Sequence, residues 1–365
     1  MASKPKLTEI DIVRAIAIIA VVLIHGTSDA TLLAVGTGSQ ALFFILNKAS
    51  LFTVPLFIWI SGLVLFYSYY DRWEPGMTRV FWAKRLQKIV IPYVLWSIFY
   101  YVYNQWMFHG TVHVDAWYLF KLLLSGNASY HLYYMIIIVQ FYVLFPLVMT
   151  AVTKFKRLSK WLIPLGIGIQ AASYTFHHWV APLPEYASLC LSYTAMFSFG
   201  AYMGIYYKQM LAWALRFKRW LIPLALLSGA AFVGMLYLQL EIASFDNTLI
   251  ELTLLVYCLA IPLPCVLWAR SQVARASRHH ANTSRKNAKA SRLATSLNAV
   301  GAASFGIYLA HPAILTLWDR VQPEPAPGRI WLYDVHTLAA VLIGLLGAWG
   351  LARAYASLMQ KGSAR

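Results

Sequence analysis

Glu9-Ile10-Asp11-Ile12-Val13-Arg14-Ala15-Ile16-Ala17-Ile18-Ile19-Ala20-Val21-Val22-Leu23-Ile24-His25-Gly26 is long and apolar enough to cross a bilayer, yet it holds an arginine and, near its far end, a histidine. Arg14 and His25 stand eleven residues apart. At about 100° per residue that is three helical turns plus roughly 20°, which puts both on one face, roughly 16 Å apart along the axis. Ionisable groups inside a membrane helix are costly and tend to face a bundle interior or a wet cavity, so the pair is a functional candidate. Each residue alone has a plainer reading, Arg14 snorkelling to the inner headgroups and His25 resting at the outer interface. The shared face weighs against it.

The rest of the chain is of the same kind. Its 365 residues are 60% hydrophobic and only 12% charged, with a mean hydropathy of +0.60. A soluble protein carries about twice that charged share. Apolar spans fall near 8–28, 42–68, 89–108, 131–152, 161–180, 187–207, 220–240, 248–269, 297–318 and 331–352. The expectation is an all-α, polytopic integral membrane protein of about ten transmembrane helices. No small-residue cleavage site follows the first apolar run, which opens on acidic residues, so that helix is expected to stay.

With the N-terminus placed in the cytoplasm, 25 of the 30 Lys and Arg residues fall on the cytoplasmic side, and only Lys48, Lys121, Arg320 and Arg329 fall outside. That split predicts both termini inside. The net charge of +17 is then a topology signal and an attraction to membrane lipids or anionic cytosolic ligands, not a mark of nucleic-acid binding.

The chain reads as a single domain over 1–365, with a basic, flexible cytoplasmic loop at about 270–296 that also holds His279 and His280. Residues 116–124 suit an interfacial or re-entrant helix. Gly200 and Gly204 are spaced for close helix packing. Cys190, Cys258 and Cys265 lie in apolar spans and read as small hydrophobes. No His or carboxylate cluster has metal spacing, so no metal is expected.

Arg14-x10-His25 in the first span resembles a motif of the acyltransferase-3 family of membrane-bound O-acyltransferases. Further stretches agree with that family in order. Val54-Pro55-Leu56-Phe57-Ile58-Trp59-Ile60-Ser61-Gly62 resembles its FFxxSG segment, and Lys84-Arg85-Leu86-Gln87-Lys88 through Pro92 its basic RxxR motif. His131-Leu132-Tyr133-Tyr134, with Gln140 and Pro146 after it, is similar to a fourth-helix signature. Ala303-Ser304-Phe305-Gly306-Ile307-Tyr308-Leu309-Ala310-His311-Pro312 is similar to a late SxxIYLxHP segment. Two positions depart from the pattern. Lys88 stands where RxxR has its second arginine, keeping the charge but losing a bidentate fork. Ile138 and Val139 replace a glutamate pair found in the branch acting on many cell-wall and lipopolysaccharide acceptors. The resemblance therefore points to the branch with exopolysaccharide and common-antigen O-acetyltransferases.

That resemblance implies transfer of an acetyl or other short acyl group from acetyl-CoA, or another acyl-CoA, to a hydroxyl. The implied acceptor is an extracytoplasmic or lipid-linked saccharide, and the implied location is the bacterial cytoplasmic membrane. The residues suit such chemistry. Acyl transfer needs a group to take the hydroxyl proton and another to stabilise the oxyanion. An imidazole titrates near neutrality, which makes His25 the natural base. Arg14 would hold or orient the donor, and Asp11, one turn earlier, would fix the guanidinium. Lys84, Arg85 and Lys88 suit the donor's phosphates, or serve only as a positive-inside anchor. His131 is either at an acceptor mouth or an interfacial histidine. His311 precedes Pro312 and fits a kink as well as catalysis. Tyr308 offers a hydroxyl that otherwise bonds a neighbouring helix. The rival reading is a polysaccharide or lipid exporter, against which stands the lack of an internal repeat.

Overall fold

A computed structural model of the protein describes residues 4–363 apart from 75, 241, 282–284 and 327. Their regular structure is entirely helical, with no strand among the described residues. In chain order the α-helices are α1 (Thr8–Gly26), α2 (Gly38–Ala49), α3 (Thr53–Tyr69), α4 (Met77–Arg85), α5 (Ile91–His109), α6 (Ala116–Ser125), α7 (Tyr133–Lys154) and α8 (Leu162–Thr175). They continue as α9 (Thr194–Ile205), α10 (Tyr207–Leu238), α11 (Asn247–Ala260), α12 (Pro262–Ala281), α13 (Arg285–Ala302), α14 (Ser304–Asp319) and α15 (Ile330–Ser363). The chain divides into two compact units. A middle unit comprises Met1–Pro5 and Ile58–Met210, and a flanking unit Lys6–Phe57 and Leu211–Arg365.

In the flanking unit, α1 packs against α2, α12, α13, α14 and α15. Its Ile10, Ile12, Val13, Ala15, Ala17 and Ile18 are buried. Small residues let neighbours come close: a Cβ added at Gly301 on α13 would collide with the Asp11 carbonyl oxygen, so these two backbones touch directly. At its far end, α1 has carbonyls that no longer find helical partners. Thr27 Oγ1 donates to the Leu23 carbonyl (2.6 Å) and Ser28 Oγ to that of Ile24 (2.8 Å). Asn47 Nδ2, from α2, also donates to the Ile24 carbonyl at 2.7 Å. Between the α13 stretch Arg292–Ala302 and α14 the helix axis bends by 75°.

In the middle unit, α3 and α9 interlock through glycines. A Cβ at Gly62 would strike the Phe197 carbonyl, one at Gly200 the Trp59 carbonyl, and one at Gly204 the Leu63 carbonyl. Aromatic rings fill the space beside them, with Phe81 stacked on Phe145 at 4.6 Å and Trp73 donating to Thr150 Oγ1 at 3.0 Å. A π-helical turn, Leu86–Val90, joins α4 to α5. The apolar stretch at 116–124 forms α6, opened by the Asp115 side chain accepting the Tyr118 N–H at 2.9 Å.

Among the described residues, five helical stretches are long and apolar enough to cross a membrane: Gly38–Arg72, Tyr133–Lys154, Tyr207–Leu238, Asn247–Ser277 and Ile330–Ala354. The bent pair Arg292–Ala302 and Ser304–Asp319 makes a sixth if taken as one span. The other four expected spans are helical as well, but α1 carries Glu9, Asp11 and Arg14, α5 is rich in Tyr and polar amides, and α8 and α9 are short. Of the stretch read as a loop, 270–296, residues 270–281 and 285–296 lie in α12 and α13, because Ala, Arg and Lys favour helix despite their polarity. Residues 282–284 lie outside the described residues, as do the side chains of His279 and His280.

Candidate functional site

The cytoplasm-proximal end of α1, by the sequence reading, is an ion-pair cluster. Arg14 Nη1 lies 2.8 Å from Asp11 Oδ1, one turn earlier. The other carboxylate oxygen of Asp11 lies 2.6 Å from Lys6 Nζ. Asp11 is thus shared by two cations while its side chain is only 6% exposed. A buried carboxylate is tolerable when paired in this way. Glu9, buried beside it on α1, has Arg270 Nη1 of α12 at 3.6 Å. The Arg14 side chain remains 30% exposed, with Nη1 spent on Asp11. The guanidinium is therefore fixed at one corner and accessible elsewhere.

His25 occupies the last turn of α1 and is partly exposed. Its ring centroid lies 5.3 Å from that of His311 on α14, the planes inclined by 32°. His311 is fully buried, with Nδ1 3.0 Å from the Ile307 carbonyl oxygen. A carbonyl only accepts, so Nδ1 is the nitrogen that bears hydrogen. The buried Tyr308 ring lies 6.2 Å from the His311 ring. Pro312 follows directly and has no N–H for the helical ladder, which locally reshapes α14. On the face that Arg14 and His25 share, Ile18 and Val21 stand between them, both buried.

The remaining sequence candidates lie in the middle unit. Arg85 has its guanidinium over the Phe81 ring (5.1 Å) and over the Tyr142 ring (5.0 Å). Trp82 Nε1 donates to the Tyr142 carbonyl at 3.1 Å, binding α4 to α7. Lys84 and Lys88 are exposed. The motif's cations thus differ in setting, one set against two aromatic rings and two in the open. His131 is not at the surface: it is 2% exposed, with Nδ1 3.1 Å from Ser129 Oγ and the Tyr100 ring edge-on at 5.1 Å. The sequence reading placed it at a mouth or an interface because it begins an apolar helix, whereas α5 supplies an aromatic wall that covers it.

Three contributors escaped the sequence reading. Lys6 was counted only as a topology charge, yet it holds Asp11. Asn47, an amide inside an apolar run, ties α2 to the carbonyl preceding His25. Arg270 lay in the presumed loop. Among the described residues there is no group of three or more His, Cys, Asp or Glu able to hold a metal ion. Cys190 and Cys258 are buried free thiols, and Cys265 is half-buried.

Comparison with known proteins adds one finding. No curated protein and no solved structure matched the chain. A family model described as an acyltransferase domain matched residues 7–353, nearly the whole length. With several helices able to cross a bilayer and that match, the chain is a multi-pass membrane protein that belongs to the acyltransferase-3 family.

Proposed function

We propose that the protein moves an acetyl or other short acyl group from a cytosolic acyl-CoA to a hydroxyl of an extracytoplasmic or lipid-linked saccharide. It does so from the bacterial cytoplasmic membrane, crossing it ten times with both termini inside. Ile138 and Val139 support an acceptor of the exopolysaccharide or common-antigen kind. His25 takes the hydroxyl proton as the oxygen attacks the thioester carbonyl carbon. The C–S bond then breaks, and the imidazolium returns its proton to the departing thiolate, releasing a free thiol and the base. Arg14, oriented by Asp11, holds an anionic or polar part of the donor. Lys84, Arg85 and Lys88 attract the donor's phosphates through charge-assisted hydrogen bonds. Arg85 is pre-set by its two rings for planar, directional contact.

The observation that carries this reading is α1 itself: in a chain of an acyltransferase family, one helix holds an ion-paired arginine at one end and a part-exposed imidazole at the other. The test is thiol release from acetyl-CoA by the purified protein in the presence of surface glycans from the host cell. His25→Ala should abolish release while the variant purifies as a folded protein. A fully active variant would remove the base and the reading with it.

A further inference from the structure

We propose that the exposed face of α10 from Trp213 to Leu227 binds one anionic phospholipid, with its phosphate on Arg216 and Arg219 and its acyl chains along Trp220, Leu224 and Leu227. None of these residues has a role in the acyl-transfer reading, so the two stand or fall separately.

Length sets the depth of this face. α10 has 32 residues, about 48 Å at 1.5 Å per residue, against roughly 30 Å of bilayer hydrocarbon. Its stretch 221–238 carries no Lys, Arg, Asp or Glu and by itself covers about 27 Å. The turns before it, with both tryptophans and both arginines, therefore stand in the headgroup layer. That is the level an indole ring prefers, its apolar body toward the chains and its N–H toward water.

Periodicity sets the direction. Leu211, Ala214, Leu221, Ala225 and Phe232 are buried and share one side of the helix. Trp213, Arg216, Trp220, Leu224 and Leu227 recur every three or four residues on a second side, roughly 130° around from the first. All five are exposed, with Trp220 at 64% and Leu227 at 69%. Arg219, three residues after Arg216, sits beside it and is exposed too. Read along the axis, the stripe passes from cation through indole to aliphatic side chain, the same order as phosphate, glycerol and acyl chain.

Charge selects the occupant. α10 has no acidic residue, and among the described residues no carboxylate pairs with either arginine. Each guanidinium lies beside a ring instead, Arg216 at 5.6 Å from that of Phe217 and Arg219 at 5.6 Å from that of Trp220. Two like charges one turn apart repel each other, and a phosphate relieves this through the forked hydrogen bonds that guanidinium groups make. A second copy of the chain fits less well. A two-fold pairing through this face would set Arg216 against its own counterpart at the same depth.

The test is native mass spectrometry of the full-length protein in detergent, titrated with phosphatidylglycerol and separately with phosphatidylcholine of the same chains. The parent should bind phosphatidylglycerol at least about fivefold more tightly. Arg216→Gln with Arg219→Gln should lose about tenfold in phosphatidylglycerol affinity and leave phosphatidylcholine unchanged. Lys156→Gln with Arg157→Gln removes two exposed cations from the turn after α7 and should stay within about twofold of the parent. Equal affinity of the parent for both lipids overturns the proposal. So does an equal loss in the two double variants, which would leave only the attraction of the whole charge. A dimer that Leu227→Ser separates would give the face to a second copy and overturn it as well. A melting experiment on the parent alone needs no variant: phosphatidylglycerol should raise the unfolding midpoint more than phosphatidylcholine, and equal shifts would contradict the site.

Discussion

Asp11 holds two cations at once, and that sets what its loss does. Asp11→Asn keeps the shape but leaves Arg14 and Lys6 without the carboxylate that anchors them. Acyl transfer by Asp11→Asn should fall at least about tenfold, measured as thiol release, with Arg14→Lys no better because a point charge replaces a fork. An unchanged rate would separate the ion-pair cluster from catalysis. Arg14, His25 and Asp11 were legible because helical spacing alone places them; i and i+3 are neighbours on any helix. Lys6 was not, since it precedes the helix, where no periodicity applies. Nor was the approach of His311 to His25, which joins opposite ends of the chain through tertiary packing that local pattern does not encode.

At the scale of elements, glycine contacts carry the most specific consequences. A methyl at Gly301 would meet the Asp11 carbonyl, a backbone atom that cannot swing aside. Gly301→Ala should therefore part α13 from α1 and destabilise the protein by about 1–3 kcal/mol, the usual range for overpacking. Gly234→Ala, on α10 with nothing within 4 Å of the added carbon, should be tolerated. Thermal unfolding in detergent, followed by fluorescence, separates the two, and equal midpoints would contradict the close approach. Most helices were visible as apolar runs, and Gly200-x-x-x-Gly204 was visible as a packing motif. The helices at 270–281 and 285–296 were not legible as such because Ser, Asn and Lys lower hydropathy, whereas Ala, Arg and Lys keep a strong backbone preference for helix. The 75° bend before α14 had no proline at the break to announce it.

Taken whole, the molecule is a family domain matched over residues 7–353 whose described residues form two compact units. Hydropathy revealed the class and the charge asymmetry suggested an orientation, but neither reveals how a chain partitions, because partition depends on which helices pack together. The orientation is open to direct test. Reporter fusions after Lys160 and after Arg292 should be active only as cytoplasmic reporters, and one near Asp115 only as an external one. The opposite pattern would invert the proposed donor and acceptor sides. One local feature bears on how such a chain tolerates change in length. The wide turn at Leu86–Val90 already absorbs a surplus residue between α4 and α5. Shortening the chain there by one would let the coil tighten to its ordinary gauge with both flanking rods still facing their neighbours. The same deletion in a regular helix would swing one half by about 100°. A point of slack is thus built in beside the positive charges of Lys84, Arg85 and Lys88.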